Sequence, residues 1–248
     1  MTVSHKARQE TIDRARHYGD EWELPYVERD DRPVSELGEQ FGALLVFTNA
    51  EVLVATTEGQ LRFHLGTAFI RLKSLERGDG DTLVTAAQAQ AGDTVLDTTL
   101  GLARDSRVIA RAIGETGRVH GIESSPPLFH LAQLGFENTD RPANSAPITV
   151  ELLDARQYLR SLETDSFDIV IIDPMFPTPT TSDAGFSLLR HLADGHELTA
   201  EWVQDARRVA RRSVVVKAAK SHPWFGEVGL EWVPSNANAA WYRTSRTQ

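Results

Sequence analysis

The stretch TVLDTTLGLARD, residues 94–105, constrains the fold of this chain more than any other. It opens with an apolar strand pattern at Thr94–Asp97, turns at Gly101, and continues into Ala103–Ile113, where the apolar residues have helical spacing. A strand that runs into a glycine turn and then a helix is the opening of a nucleotide-binding βαβ unit. The glycine lets a ligand approach the backbone, and the helix N-terminus offers free N–H groups.

The rest of the chain after this stretch alternates in the same way between strands and helices. Further strands are predicted at 118–123, 147–152, 167–173 and 213–218, and further helices at 126–136, 155–162 and 197–209. Continuous apolar runs such as Ile169–Ile172 are typical of parallel strands that are covered on both faces. Five such strands predict a doubly wound α/β sheet, which binds ligands at the C-terminal ends of its strands. A last pair of strands, 230–233 and 239–242, is predicted to be antiparallel.

The first 65 residues have a different pattern. It predicts helices at 8–18 and 35–41, followed by a small antiparallel sheet with strands at 43–48, 51–56 and 61–64. Gly19 is expected to stop the first helix, and Ser35 is expected to cap the second. We therefore expect residues 1–65 to form a small N-terminal α+β region and residues 66–248 to form the larger α/β domain.

Composition excludes several classes of protein. The chain of 248 residues is 41% hydrophobic, which suffices for one α/β domain and a smaller appendage. It has no cysteine, so disulfides, thiolate metal sites and cysteine nucleophiles are excluded, and its histidines lack the spacing of metal ligands. No apolar run approaches the ~20 residues that span a bilayer, and the first residues lack the apolar core of a signal peptide. A soluble, cytoplasmic protein with no membrane partner and no metal is expected.

The net charge of −9 does not favour a general nucleic-acid binder, because the phosphate backbone attracts a cationic surface. Contact with RNA would need a local basic patch. Two sets of residues are candidates, Arg71/Lys73/Arg77 and Arg207/Arg208/Arg211/Arg212. A solvated helix face is an equally good interpretation of each set.

Three acidic residues lie at the ligand-binding edge: Asp97 and Glu123 end predicted strands, and Asp154 follows one. Glu123 is placed to accept hydrogen bonds from both hydroxyls of an adenosine ribose. Asp154 could bind an adenine amino group, cap the helix that follows, or do both. The turn after Asp97 has one glycine rather than G-x-G-x-x-G, and a carboxylate at the strand end would repel a pyrophosphate, which argues against NAD. The Asp97 carboxylate suits a cofactor with positive charge, such as the amino-acid part of S-adenosylmethionine.

The most specific motif is Asp173-Pro174-Met175-Phe176-Pro177, at the end of the fourth parallel strand. Its prolines restrict the backbone beside a carboxylate and an aromatic ring. Asp173 and a backbone carbonyl could accept N–H bonds from an exocyclic amine and aim its lone pair at a methyl donor. Phe176 could stack on a base swung out of its helix. Lys217, at the end of the fifth strand, could hold a phosphate or the target base, or be a solvated strand end.

These motifs resemble the class I S-adenosylmethionine-dependent methyltransferases that make N2-methylguanosine in bacterial small-subunit ribosomal RNA. The resemblance runs from about residue 60 to 220. It is carried by Asp97-Thr-Thr-Leu-Gly-Leu-Ala-Arg-Asp105 (with Thr99 suited to this subfamily), Glu123, Asp173-Pro-Met-Phe-Pro177, Val214-Val-Val-Lys217 and an upstream Phe63–Asp81 pattern. It implies a Rossmann-like methyltransferase sheet, S-adenosylmethionine as cofactor, and ribosomal RNA as substrate. It also implies cofactor contacts by Arg104-Asp105, Glu123-Ser124, Asp154-Ala155 and Asp173.

Two other hypotheses stay open from the residues. One keeps the cofactor but has a small molecule as the methyl acceptor. The other is a catalytically idle module of the same fold that binds RNA or the cofactor.

Overall fold

A computed structural model describes residues 1–174, 184–193, 195, 197–219, 224–234 and 239–245. Its helices are α1 (Gln9–Glu21), α2 (Val34–Phe41), α3 (Thr67–Glu76), α4 (Thr82–Ala87), α5 (Arg104–Ile113), α6 (Pro126–Glu137), α7 (Ala155–Ser161), α8 (Ala184–Leu192), α9 (Ala200–Val209) and α10 (Trp224–Glu227). Its strands are β1 (Thr2–Val3), β2 (Leu44–Phe47), β3 (Val52–Ala55), β4 (Gln60–Arg62), β5 (Thr94–Asp97), β6 (Arg118–Glu123), β7 (Ile148–Leu152), β8 (Phe167–Ile172), β9 (Ala210–Ala219), β10 (Glu231–Val233) and β11 (Ala239–Ser245). None of the helices in these ranges is long and apolar enough to cross a bilayer.

The larger sheet has the order β10-β11-β9-β8-β5-β6-β7. The five strands from β7 to β9 are parallel, and β10 and β11 add an antiparallel edge, as predicted. The chain leaves β5 towards β6 and β7, and then crosses back to β8 on the other side of β5. This reversal between β5 and β8 is the topological switch point, where open α/β sheets form a ligand crevice at the C-terminal ends of their strands.

The core of this sheet follows from its apolar strands. Ile169–Ile172 of β8 are fully buried, because helices cover both faces. On one face, α4 and α5 pack against β5 and β8, and on the other, α7 and α9 pack against β8 and β9. The helix α9 begins at Ala200 rather than at the predicted Glu197, because the Thr199 hydroxyl accepts a hydrogen bond from the Trp202 N–H (3.2 Å) and caps the helix there.

The N-terminal region contains a four-stranded sheet of order β1-β2-β3-β4. Its three antiparallel strands were predicted, but β1, which pairs parallel to β2, is too short to give a sequence pattern. Leu128, Leu131 and Leu134 of α6 share one core with this sheet. Since that core joins the two regions, the boundary at residues 65 and 66 stays a prediction.

Two predictions about helix ends were wrong. Gly19 lies inside α1, where it allows close packing, since a Cβ atom there would stand 3.2 Å from the carbonyl oxygen of Leu24. Ser35 is not a cap, because α2 begins one residue earlier, directly after Pro33.

Candidate active site

A cleft opens at the C-terminal edge of the larger sheet, with a free volume of about 1150 Å³ that includes its open mouth. It is formed by the β5–α5 turn, by the ends of β6, β8 and β9, by the start of α7, and by α3. The predicted site residues that the structure describes all line it: Asp97, Thr99, Gly101, Arg104, Asp105, Glu123, Ser124, Asp154, Ala155, Asp173, Pro174 and Lys217. Phe176 lies outside the described residues.

Asp97 is almost completely buried at the end of β5, with 2% of its surface exposed. Its Oδ2 atom accepts a hydrogen bond from Ser106 Oγ (2.5 Å) and its Oδ1 atom accepts one from the Thr99 N–H (3.1 Å). Burial raises the pKa of Asp97 to about 7, although both hydrogen bonds favour the charged form. A cation bound beside Asp97 would therefore stabilise its carboxylate.

Glu123 ties the β5–α5 turn to the end of β6. Its Oε2 atom accepts a hydrogen bond from the Gly101 N–H (2.8 Å), and its Oε1 atom accepts one from the Ser125 N–H (2.9 Å). Gly101 has a φ of +53°, in the left-handed region, and so does Ala103, with a φ of +55°. The turn thus keeps a glycine-like backbone at Ala103, where a non-glycine residue is strained.

A chain of ion pairs crosses the cleft from α3 to β8. Arg71 of α3 donates to Asp81 (2.7 and 3.0 Å) and to Asp105. Lys217 Nζ donates to Asp105 Oδ2 (3.2 Å) and to Asp173 Oδ2 (2.7 Å). Lys217 therefore pairs with two carboxylates and is not a solvated strand end, and its contact with a phosphate or a base stays a prediction.

This network sets the charge of its members. Burial raises the pKa of Asp173, and Lys217 opposes that shift by favouring the carboxylate. Burial also opposes the charge of Asp105, but Lys217 and Arg71 together hold the pKa of Asp105 well below its usual range. The same two carboxylates raise the pKa of Lys217 in spite of its burial. Asp173 is fixed beside the β5–α5 turn, because its N–H donates to Thr99 Oγ1 (2.6 Å).

Asp154 caps α7, as one of its predicted roles requires. Its Oδ1 atom accepts from the Arg156 N–H (2.8 Å), and the Arg156 side chain pairs with both of its oxygens. The hydrogen bond from the Arg156 side chain is the main reason that the pKa of Asp154 falls to about 2. His64, in the segment between β4 and α3, contacts Arg104, with Arg104 Nη2 at 3.0 Å from its Nε2.

The residues of the two basic patches form hydrogen bonds and ion pairs with other residues of the chain. Arg71 is turned into the cleft, Lys73 pairs with Glu76 (3.0 Å) and Arg77 pairs with Asp79 (3.1 Å). In the second patch, backbone carbonyls accept from Arg207 and Arg208, and carboxylates pair with the other two arginines. Arg207 and Arg208 lie on α9 but Arg211 and Arg212 lie on β9, so the second patch is not a single helix face.

The sequence patterns did not reveal several other residues that line the cleft, among them Thr67 at the start of α3, Leu189 of α8 and Trp202 of α9. Trp202 lies within the predicted helix 197–209, and nothing local in the sequence distinguishes it from a core residue. Among the described residues, no group of three or more His, Asp or Glu side chains could hold a metal ion.

Known proteins that are similar to this chain include S-adenosylmethionine-dependent methyltransferases. Residues 43–233 match the model of a family described as "Putative SAM-dependent methyltransferase". An uncharacterized protein of Bacillus subtilis, YpiP, is 33% identical over 93% of this chain and 92% of its own length.

Relatives named ribosomal RNA small subunit methyltransferase J match a shorter part. The protein of Dechloromonas aromatica is 30% identical over 59% of this chain, and that of Neisseria gonorrhoeae is 32% identical over 57% of it. The chain spans about 60% of the length of these relatives, 62% and 59% respectively.

A crystal structure of a SAM-dependent methyltransferase from Neisseria gonorrhoeae shares the fold, with a TM-score of 0.63 over 99% of this chain and 95% of that one, at 19% identity. The residues of the cleft fit S-adenosylmethionine, because a buried carboxylate suits the cationic amino-acid end and a strand-end glutamate suits a ribose diol. The chain belongs to the S-adenosylmethionine-dependent methyltransferases, as an enzyme of class I that resembles the ribosomal RNA methyltransferases named J.

Proposed function

We propose that this enzyme methylates the exocyclic amino group of a guanine in ribosomal RNA. The observation that carries the proposal is the position of Asp173, which is bonded to Thr99 of the β5–α5 turn and paired with Lys217. A carboxylate is thereby held next to the part of the cleft that suits the cofactor. The names of the relatives that match residues in this region support RNA as the substrate. A substrate of this kind implies a cytoplasmic protein.

In this proposal, the turn and the strand ends hold the cofactor. Glu123 accepts hydrogen bonds from the ribose hydroxyls, and an ionised carboxylate can accept about four bonds, so this role is compatible with its bonds to Gly101 and Ser125. Asp97 faces the cationic amino-acid end. Asp154 and Ala155 lie at the adenine end. The remaining members of the cofactor set are Thr99, Gly101, Arg104, Asp105, Ser124 and Asp173.

The other side of the cleft positions the acceptor. When bound, S-adenosylmethionine supplies a reactive methyl group on a sulfonium. The amine of guanine is a poor nucleophile because its lone pair is delocalised into the base. Asp173 accepts an N–H bond from this amine and so orients the lone pair, a contribution of positioning and electrostatics. Pro174 stiffens the loop, and Phe176, outside the described residues, stacks on the base.

Lys217 takes part through Asp173. Burial disfavours the carboxylate form of Asp173, and protonation would turn one of its oxygens into a hydrogen-bond donor. Lys217 restores that form through its 2.7 Å contact. We therefore assign Lys217 to the positioning of Asp173 rather than to direct contact with the base or with a phosphate.

Methyl transfer to RNA tests the proposal. The purified protein is incubated with tritium-labelled S-adenosylmethionine and small ribosomal subunits from a strain that lacks this enzyme, and the RNA is then digested to nucleosides. We expect label in N2-methylguanosine, formed about 10²–10³ more slowly with Asp173→Asn. Label in a small molecule without any RNA dependence would overturn the proposed substrate. Tight binding of S-adenosylhomocysteine without any turnover would indicate an idle module.

A further inference from the structure

A second cavity lies between α5, the end of α6 and the segment that leads into β7. It has a free volume of about 640 Å³ including its mouth, and none of its lining residues lines the cofactor cleft. Two main-chain bonds fix the segment that forms its wall: the Ala146 N–H donates to the Ala110 carbonyl (2.9 Å), and the Val119 N–H donates to the Pro147 carbonyl (3.0 Å). The wall formed by Ala146 and Pro147 is therefore held against α5 and β6.

Arg107 of α5 brings a buried positive charge to this cavity. Only 3% of its surface is exposed, and its guanidinium carbon lies 4.8 Å from the ring centre of Phe136 and 5.7 Å from that of Phe63. Its Nε and Nη2 atoms are buried and have no hydrogen-bond partner in the part of the chain that the structure describes. The aromatic rings offset part of the cost of burying the charge, but they cannot accept the in-plane N–H bonds of the guanidinium. Burial lowers the pKa of Arg107, but an arginine stays charged in proteins.

A second buried polar group, the Ser145 hydroxyl, also favours an anionic ligand in this cavity. Ser145 is 1% exposed and lines the cavity, and its hydroxyl has no hydrogen-bond partner among the described residues. Arg141 and Thr139 stand on the cavity lining as well. Of the two acidic residues of this segment, Asp140 is exposed and Glu137 accepts from the Tyr18 hydroxyl, and neither lines the cavity. The polar groups that do line it are therefore cationic or neutral donors.

We propose that Arg107, Ser145 and Arg141 form a binding site for a phosphate group. A guanidinium fork matches the geometry of phosphate oxygens, and a hydroxyl adds one more donor. A charge that is costly to bury alone would be compensated by the bound anion. The phosphate belongs either to a small phosphorylated compound or to an RNA backbone. The site does not depend on the function proposed for the cofactor cleft.

Inorganic phosphate is the probe for the test. Thermal unfolding and calorimetry are measured with sodium phosphate and with sodium chloride at equal ionic strength. The variants are Arg107→Met, which keeps the length and packing of the side chain, and Ser145→Ala. Binding of S-adenosylhomocysteine, expected to be unchanged in both variants, is the control for an intact fold.

We expect phosphate to raise the unfolding temperature of the wild-type protein above that in chloride. Arg107→Met should lose this shift and unfold no earlier than wild type in chloride, because it removes a buried unpaired charge. Ser145→Ala should weaken phosphate binding by about threefold to tenfold, the effect of one lost hydrogen bond. Equal effects of phosphate on wild type and Arg107→Met, or no effect on wild type, would overturn the site. If Arg107→Met fails to fold, undiminished phosphate binding by both Ser145→Ala and Arg141→Ala would overturn it.

A second arm identifies the source of the phosphate. Binding of a small-subunit RNA fragment is followed by fluorescence anisotropy in wild type and Arg107→Met. Weaker RNA binding by the variant, together with competition by phosphate, assigns the site to the RNA backbone. Equal RNA binding, with phosphate still protecting wild type alone, assigns it to a small phosphorylated compound.

Discussion

The two sides of the cofactor cleft are built in different ways. On the cofactor side, Glu123 and Asp97 accept hydrogen bonds from main-chain N–H groups of nearby turns. On the acceptor side, Asp173 is held by Lys217, which also pairs with Asp105, and Asp105 pairs with Arg71. Main-chain donors have fixed positions and no titration of their own, whereas the ion pairs make the charge of each member depend on the others. Mutations on the cofactor side should therefore change mainly the affinity for the cofactor, and mutations on the acceptor side mainly the rate of methyl transfer and the pH dependence of that rate.

The largest effect is expected for Asp173→Asn. The variant loses the carboxylate that orients the amine, and the turnover should fall by about 10²–10³, as for other lost electrostatic contacts to a reacting group. The affinity for S-adenosylhomocysteine should change by less than about tenfold, or 1.4 kcal/mol. Single-turnover methylation and calorimetry measure the two quantities. An affinity loss as large as the rate loss would erase the distinction between the two sides.

Glu123→Ala should show the reverse behaviour. It removes the proposed ribose contacts and leaves the Gly101 and Ser125 N–H groups without their acceptor. Hydrogen bonds to charged groups contribute about 1.5–3 kcal/mol, so the dissociation constant of S-adenosylhomocysteine should rise by about 10–100-fold. Glu123→Gln, which keeps one acceptor oxygen, is the matched control and should lie between. An unchanged affinity in Glu123→Ala would contradict the assignment.

Lys217→Met should move the pH profile rather than the cofactor affinity. Lys217 lowers the pKa of Asp173 against the effect of burial, so its loss raises that pKa further. The acidic limb of kcat/KM should then move to higher pH by about one to three units, the usual effect of removing an opposite charge. Lys217→Arg keeps the charge and should restore the profile. A profile that stays in place in Lys217→Met would show that Asp173 does not need this partner.

Asp97→Asn is expected to have the smallest effect at neutral pH, on the affinity for S-adenosylhomocysteine. The Asp97 pKa of about 7 falls when a cation binds beside it, so cofactor binding releases a proton below that pH. The affinity for S-adenosylhomocysteine should fall by up to about tenfold per pH unit below 7 and stay level above 8. In Asp97→Asn the dependence should be absent. Calorimetry in buffers of different ionisation enthalpy counts the proton directly, and a pH-independent wild-type affinity would contradict the role.

The same contrast explains what the sequence could predict. Thr94–Ile113 and Glu123 were placed correctly because their geometry is local: a strand, a glycine turn and a helix fix them through main-chain bonds. The ion pairs were not predicted, because Lys217 and Asp105, or Arg71 and Asp105, meet only after the sheet has formed. For that reason Arg71 was expected on a basic surface patch, whereas the structure has it half-buried in the cleft and paired with Asp81 and Asp105.

The N-terminal region gives a similar lesson. Its three antiparallel strands have clear apolar patterns, but the pairing of β1 depends on a distant partner in β2. Gly19 was interpreted as a helix stop from its type alone, whereas its place in α1 follows from the close approach of Leu24. Phe176 and the other residues from 175 to 183 lie outside the described residues, so the stacking role of Phe176 stays a prediction.

A crystal structure with bound S-adenosylhomocysteine tests the central claim most directly. We expect both ribose hydroxyls within hydrogen-bond distance of Glu123, about 2.5–3.0 Å, and the amino-acid end beside Asp97. Asp173 should still pair with Lys217 and face the open part of the cleft. A ligand that lies elsewhere, or a Glu123 side chain turned away from the ribose, would contradict the account.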